Sequence, residues 1–94
     1  MDWEVKFTKK AAKQLRELPE FVQNQVDALA RQIEVEGPMQ PRWKNFGKLK
    51  GSYNSYHCHV KSGRPTYIVC WAVTDKQVQI VEVYYVGTHE KAPY

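Results

Sequence analysis

The period at which apolar residues recur changes twice along this chain, and no other feature limits the available folds as strongly. Residues 2–7 alternate, with Trp3, Val5 and Phe7 on one side and Asp2, Glu4 and Lys6 on the other, which is the pattern of a half-buried strand. From Thr8, a residue able to cap a helix, the spacing becomes helical, and Ala11, Ala12, Leu15 and Leu18 form one stripe. Pro19 suits the first turn of a second helix, in which Val22, Val26, Leu29 and Ile33 recur at intervals of four, three and four until Gly37-Pro38 ends it. From Tyr53 the strand pattern returns in three runs, residues 53–60, 66–73 and 78–87, joined by turns at 61–64 and 74–76. Turns this short imply an antiparallel meander. Between the two halves, GPMQPRWKNFGKLKG (residues 37–51) keeps no lasting period and reads as a long functional loop. The expected fold is therefore α+β in the order β-α-α-β-β-β. An N-terminal strand, a two-helix hairpin and a three-stranded antiparallel meander complete one sheet, against which the apolar stripes of both helices must pack.

A chain of 94 residues can bury one core but hardly two, so residues 1–94 are expected to form a single domain. No segment approaches the roughly 20 apolar residues a membrane span requires, so no membrane association is expected. The opening MDWEVKFTKK has an acid at position 2 and no long apolar run, unlike a signal peptide. Cys58 and Cys70 each fall in an aromatic-rich strand run, where a thiol commonly serves as a small buried hydrophobe. A reduced, cytoplasmic protein fits this usage, with a disulfide as the alternative.

The net charge of +4 is unevenly distributed. Residues 1–36 carry six basic and seven acidic side chains, whereas residues 37–94 carry eight basic side chains against Asp75, Glu82 and Glu90. The basic half is suited to a polyanion or an acidic protein, although lysines that merely solubilise a surface produce the same excess.

Several chemistries lack their sequence templates. There is no CxxC, HExxH or paired acidic loop for a metal, no phosphate-binding loop, no dinucleotide fingerprint, and no spacing that selects a Ser or Cys triad. No metal or small-molecule cofactor is expected. His57, Cys58 and His59 are adjacent, but successive strand residues point to opposite faces, so the cysteine cannot join both histidines at one ion. The two histidines share a face, which is either a solvated sheet surface or a ligand-facing one. Imidazoles titrate near neutrality, so two of them, or one with a tyrosine, can take and return a proton within one reaction. Cleavage of RNA by its own 2′-OH requires such a pair, together with cations to hold the charge that gathers on the phosphoryl oxygens. Lys44, Lys48 and Lys50 interleave with Trp43, Phe46 and Tyr53, a combination that holds single-stranded backbone while bases stack, unless the aromatics only plug a sheet edge. Arg64, in a turn, is either a phosphate clamp or a surface residue. His89 follows the last strand at the point where the chain leaves the sheet, and Tyr94 reaches the same place if the tail folds back rather than fraying.

The order of these elements resembles the RelE/ParE superfamily of type II toxins over nearly the whole chain. The likeness rests on the opening strand and helical hairpin, on Leu49-Lys50-Gly51 leading into Tyr53–Val60, on Tyr67-Ile68-Val69-Cys70-Trp71, and on Val86-Gly87-Thr88-His89. Gly-Thr-His followed by an aromatic is similar to the YafQ-like branch of ribosome-dependent messenger-RNA interferases. The resemblance implies a basic concave sheet face, a cognate antitoxin that wraps and neutralises the toxin, and metal-independent cleavage of messenger RNA on the ribosome. It places His89 at the proton-transfer histidine, His59 at a strand histidine with His57 as the other possible counterpart, Tyr94 near the terminal aromatic, and Lys48, Lys50 and Arg64 among backbone-binding cations. The sequence departs from that pattern in a longer turn after Val60, where Thr66 stands in place of an expected acid, and in the five residues separating His89 from Tyr94. The superfamily also holds gyrase inhibitors of the ParE type, which perform no chemistry, and inactive members that bind only RNA or antitoxin.

Overall fold

A computed structural model describes residues 2–51 and 54–94. Its elements are β1 (Glu4–Phe7), α1 (Lys9–Arg16), α2 (Glu20–Glu36), β2 (Lys44–Lys48), β3 (Ser55–Lys61), β4 (Tyr67–Asp75) and β5 (Ile80–Thr88), followed by a single 3₁₀ turn, His89–Lys91. The strands form one sheet in the order β1-β5-β4-β3-β2, with β1 parallel to β5 and every other pair antiparallel. The α+β class, the helical hairpin and the meander are as the periodicity predicts. The sheet gains one strand, because residues 44–48, expected within a loop, pair with β3 as an edge strand.

The local signals act where they stand in the sequence. Thr8 caps α1 by accepting the Ala11 N–H on its Oγ1 at 3.0 Å. Pro19 precedes α2 as its cap residue, and Gly37 ends that helix at φ 96°, a conformation that costs glycine nothing. Val22, Val26, Leu29 and Ile33 are buried along α2, and each contributes roughly 1.5–3 kcal/mol when removed from water. They pack with Ala11 of α1 on Cys58, Val60, Val69, Trp71, Val81, Val83 and Val86 of the sheet. Trp71 is fully buried at the centre; its ring lies 6.0 Å from Phe46 and 6.3 Å from Tyr56, and its indole N–H donates to the Pro38 carbonyl at 3.0 Å. Distant segments are tied by Gln14, whose Oε1 accepts the Val86 N–H at 3.1 Å.

Both helices lie on one face of the sheet. On the other, a smaller cluster of Leu49, Ile68, Cys70 and Tyr85, edged by Tyr84 and Ala92, forms a floor that neither α1 nor α2 covers. The cysteines divide between the two faces, Cys58 in the helix-covered core and Cys70 in the open floor, and both are free thiols. Burial pushes each thiol up to about 12, so neither ionises near neutrality. No helix among the described residues is long and apolar enough to cross a membrane.

Candidate functional site

Strand alternation sends Cys58 and Val60 under the helices, and so sends His57 and His59 to the open face. Opposite them in register lie Cys70 and Ile68 of β4, whose buried side chains make the floor on which the imidazoles stand. On the β2 side, His57 faces Gly47 and His59 faces Lys44. A Cβ at Gly47 would come within 3.3 Å of His57 Nε2, so the missing side chain leaves the ring its place.

His89 arrives from the end of β5. Its backbone N–H donates to the Thr66 carbonyl at 2.9 Å, which fixes the 3₁₀ turn against the β3–β4 loop. Gly87 has a packing reason to be glycine: the Tyr85 phenol crosses it, and a Cβ there would lie 2.7 Å from the Tyr85 oxygen. That phenol donates to the Thr88 carbonyl at 2.7 Å, immediately before His89. The tail then folds back instead of fraying, with Ala92 packed on the floor and Tyr94 over the sheet.

Four rings meet as a result. His59 and His89 have centroids 5.5 Å apart, edge to face; Tyr94 lies 5.0 Å from His57 and 6.3 Å from His89. Tyr94 Oη is 3.5 Å from His57 Nδ1, long for a hydrogen bond. Burial lowers the His57 pKa, assisted by the His89 charge. For His59 burial again comes first, followed by repulsion from His89, His57 and Lys44. Both imidazoles are thus held toward the neutral, proton-accepting form, while burial raises the Tyr94 phenol and keeps its proton in place.

A cleft of about 510 Å³ opens where His59 and His89 meet, walled by Gly63, Arg64, Pro65, Thr66 and Glu90. Arg64 therefore joins the two histidines. Thr66, at the place of the expected acid, spends its hydroxyl on the Gly63 carbonyl at 2.7 Å and so shapes the turn. Glu90, which the sequence reading passed over, supplies the cleft's carboxylate.

The other cations separate. Lys44 shares the histidine face through its pairing with His59, but Lys48 pairs with Tyr56, and directly opposed residues share a face, so it projects on the helix side with Phe46 and Tyr56. The sequence grouped Lys44 with Lys48; a bulge between Lys44 and Gly47, with Asn45 at φ 56°, turns them to opposite sides. Lys50 is exposed in the following turn. Tyr53 lies outside the described residues. Among the described residues, no three His, Cys, Asp or Glu side chains gather as a metal-binding group.

No protein-family model and no curated protein matches the sequence. Solved structures do. The free Escherichia coli RelE toxin, as a double mutant, superposes with a TM-score of 0.76 over 98% of this chain and 88% of its own, at 22% identity. RelE from the archaeal RelE–RelB complex of Pyrococcus horikoshii gives 0.77 over 98% and 100%, at 20% identity. The fold is that of the RelE toxins. The intact E. coli RelBE toxin–antitoxin complex contains a further match, with a TM-score of 0.72 over 95% of this chain and 99% of that one, at 21% identity. In this RelE-like frame the described site occupies the uncovered sheet face and the end of the last strand.

Proposed function

We propose that this chain is the toxin of a type II toxin–antitoxin pair, a cytoplasmic endoribonuclease that cuts messenger RNA on the ribosome and is neutralised by a cognate antitoxin. The observation that carries the reading is the convergence of His57, His59, His89 and Tyr94 on one open face, beside Lys44 and Arg64. The RelE-like fold supports it, as does the ending Gly87-Thr88-His89, which resembles the YafQ-like branch.

In the proposed mechanism His59, held neutral, accepts the proton of a 2′-OH. The 2′-oxygen bonds to phosphorus, the bond from phosphorus to the 5′-oxygen breaks, and His89 donates a proton to that oxygen. The products are a 2′,3′-cyclic phosphate and a 5′-hydroxyl, with atoms and charge balanced by side chains alone. Arg64, walling the cleft between the two imidazoles, and Lys44, beside His59, neutralise the charge on the phosphoryl oxygens. Tyr94 bridges His57 and His89 and positions the substrate by stacking. Lys48, on the helix side of the sheet, and Lys50, exposed in the turn after β2, hold backbone of the RNA and not the reacting phosphate.

Induced expression of wild type and His89→Ala, with mapping of messenger-RNA ends and a gyrase supercoiling assay, tests this reading. The wild type is expected to arrest growth and cut transcripts, and His89→Ala to lose cleavage by roughly 10²–10⁴-fold while remaining folded. Equal toxicity of the two would remove His89 from the mechanism. Intact transcripts with inhibited gyrase would replace the enzyme by a ParE-like inhibitor.

A further inference from the structure

His59 belongs to two clefts. The first, shared with His89, is absorbed by the proposed chemistry. The second, about 450 Å³, is bounded by Gln25 and Gln32 of α2, by Trp43 and Lys44 where β2 begins, and by the end of β3. It lies where β2 and β3 stop pairing, at Lys44 and His59, so that the last residues of β3 keep β4 as a neighbour on one side and have no β2 residue opposite them on the other. Gln25, from α2, reaches the Val60 carbonyl there at 3.5 Å. Gln32 stands seven residues further along the same helix, about two turns on and therefore on the same side. Its side-chain oxygen accepts the indole N–H of Trp43, which fixes the orientation of that ring at the cleft wall.

We propose that this second cleft is a subsite for a nucleotide flanking the cut bond, continuous with the first through His59. The inference rests on the RNA-cleaving reading and extends it to a stretch of single-stranded substrate. Three properties fit that ligand better than any other polyanion. Lys44, Lys61 and Arg42 line the cleft, and its described lining holds no carboxylate. Lys61 is held in place by the Ser62 and Pro65 carbonyls at 3.1 and 3.3 Å, while the contact of Arg42 with Glu36, at 3.7 Å between exposed groups, is weak enough for a phosphate to displace. Trp43 offers a fixed aromatic surface for stacking, and two carboxamides supply both donors and acceptors to a base edge. An anion site alone would need neither the ring nor the amides.

The test uses the full chain and two fluorescein-labelled, non-cleavable 2′-O-methyl RNAs, a trinucleotide and a twelve-nucleotide single strand. Gln25→Glu combined with Gln32→Glu places two negative charges in the cleft at exposed helix positions and preserves the acceptor for Trp43. Asn24→Asp combined with Gln77→Glu makes the same change in net charge elsewhere on the surface. Anisotropy titrations are expected to show a loss of about tenfold or more in twelve-nucleotide affinity for the cleft variant. The control pair should stay close to wild type, and the advantage of the long strand over the short one should shrink only in the cleft variant. If the cleft variant and the control bind the long strand equally, the subsite is wrong and the RNA reading stands. If wild-type protein binds neither RNA, the subsite is wrong, and the reading of the chain as a ribosome-dependent nuclease is decided separately by the mapping of messenger-RNA ends.

Discussion

The two faces of this sheet are built from neighbouring residues to opposite specifications. On β3, Cys58 and Val60 are buried beneath α2, while His57 and His59, one position away, stand half-exposed on the other side. On β4, Val69 and Trp71 enter the helix-covered core, whereas Ile68 and Cys70 support the imidazoles. The covered face is aliphatic with a central aromatic stack, and its packing sets stability. The open face has only a thin apolar floor, and its exposed layer is made of rings that titrate or donate. A period of two therefore lets a single strand hold the fold together and present its chemistry without either task constraining the other.

The largest expected effect tests the covered half of that division. Trp71→Ala should cost about 3–5 kcal/mol in urea unfolding, through a cavity in the centre of the core. That is a large share of a stability of about 5–15 kcal/mol for a domain, so Trp71→Phe serves as the milder probe. Phenylalanine keeps a ring against Phe46 and Tyr56 but leaves the Pro38 carbonyl without its donor, at a cost of about 1–3 kcal/mol. Cleavage by whatever fraction remains folded should be close to that of the wild type. A folded Trp71→Phe protein with activity reduced as far as in His89→Ala would break the division, since it would mean that the core tunes the site.

Gly87→Ala sharpens the division where the two roles meet. The new methyl must displace the Tyr85 phenol, which donates to the Thr88 carbonyl one residue before His89. Overpacking of this kind costs about 1–3 kcal/mol. A shift of the His89 turn should also lower cleavage between about tenfold and a hundredfold, as small misplacements of a catalytic group do. Tyr85→Phe removes only the hydroxyl and should cost less in both measurements. If Gly87→Ala loses stability with activity unchanged, the glycine serves packing alone.

The sequence made the covered face more legible than the open one. The stripe from Val22 to Ile33, the Thr8 cap and the alternation through β3 are local signals, and tertiary packing had only to agree with them. β2 was invisible because Phe46 is its one large apolar residue and it holds a glycine; an edge strand of five residues is selected by the neighbour it pairs with, not by its own pattern. The same limit divided the lysines. Lys44 and Lys48, four apart, would share a face on a regular strand, and only the bulge at Asn45 separates them. His57 and His59 could be placed together from spacing, but the approach of His89 and Tyr94 depends on the Thr66 carbonyl and on Ala92 seating the tail, contacts far apart in sequence.

The smallest expected effect concerns protons and distinguishes the faces by pH. His59 is held below the ordinary histidine value of 6.5 by burial first and by His89, His57 and Lys44 after it. As the proposed base it must be unprotonated, so kcat/KM should fall on the acid side only below that value. Lys44→Ala removes one repelling cation, which favours the protonated imidazole and should move this limb upward in pH. Stability follows the same groups with a different readout. Because His57 and His59 have lower pKa values folded than unfolded, the unfolded chain binds protons first as the pH drops. Acidification from about pH 6.5 to the folded values should therefore destabilise the protein, and above pH 6.5 these two groups should contribute no slope. His57→Gln combined with His59→Gln should flatten the acid side of the urea-midpoint profile, while Cys58→Ala should lower the whole profile without changing its shape. A Cys58→Ala profile that changed shape, or a double-glutamine profile that kept it, would place the acid sensitivity somewhere other than the open face.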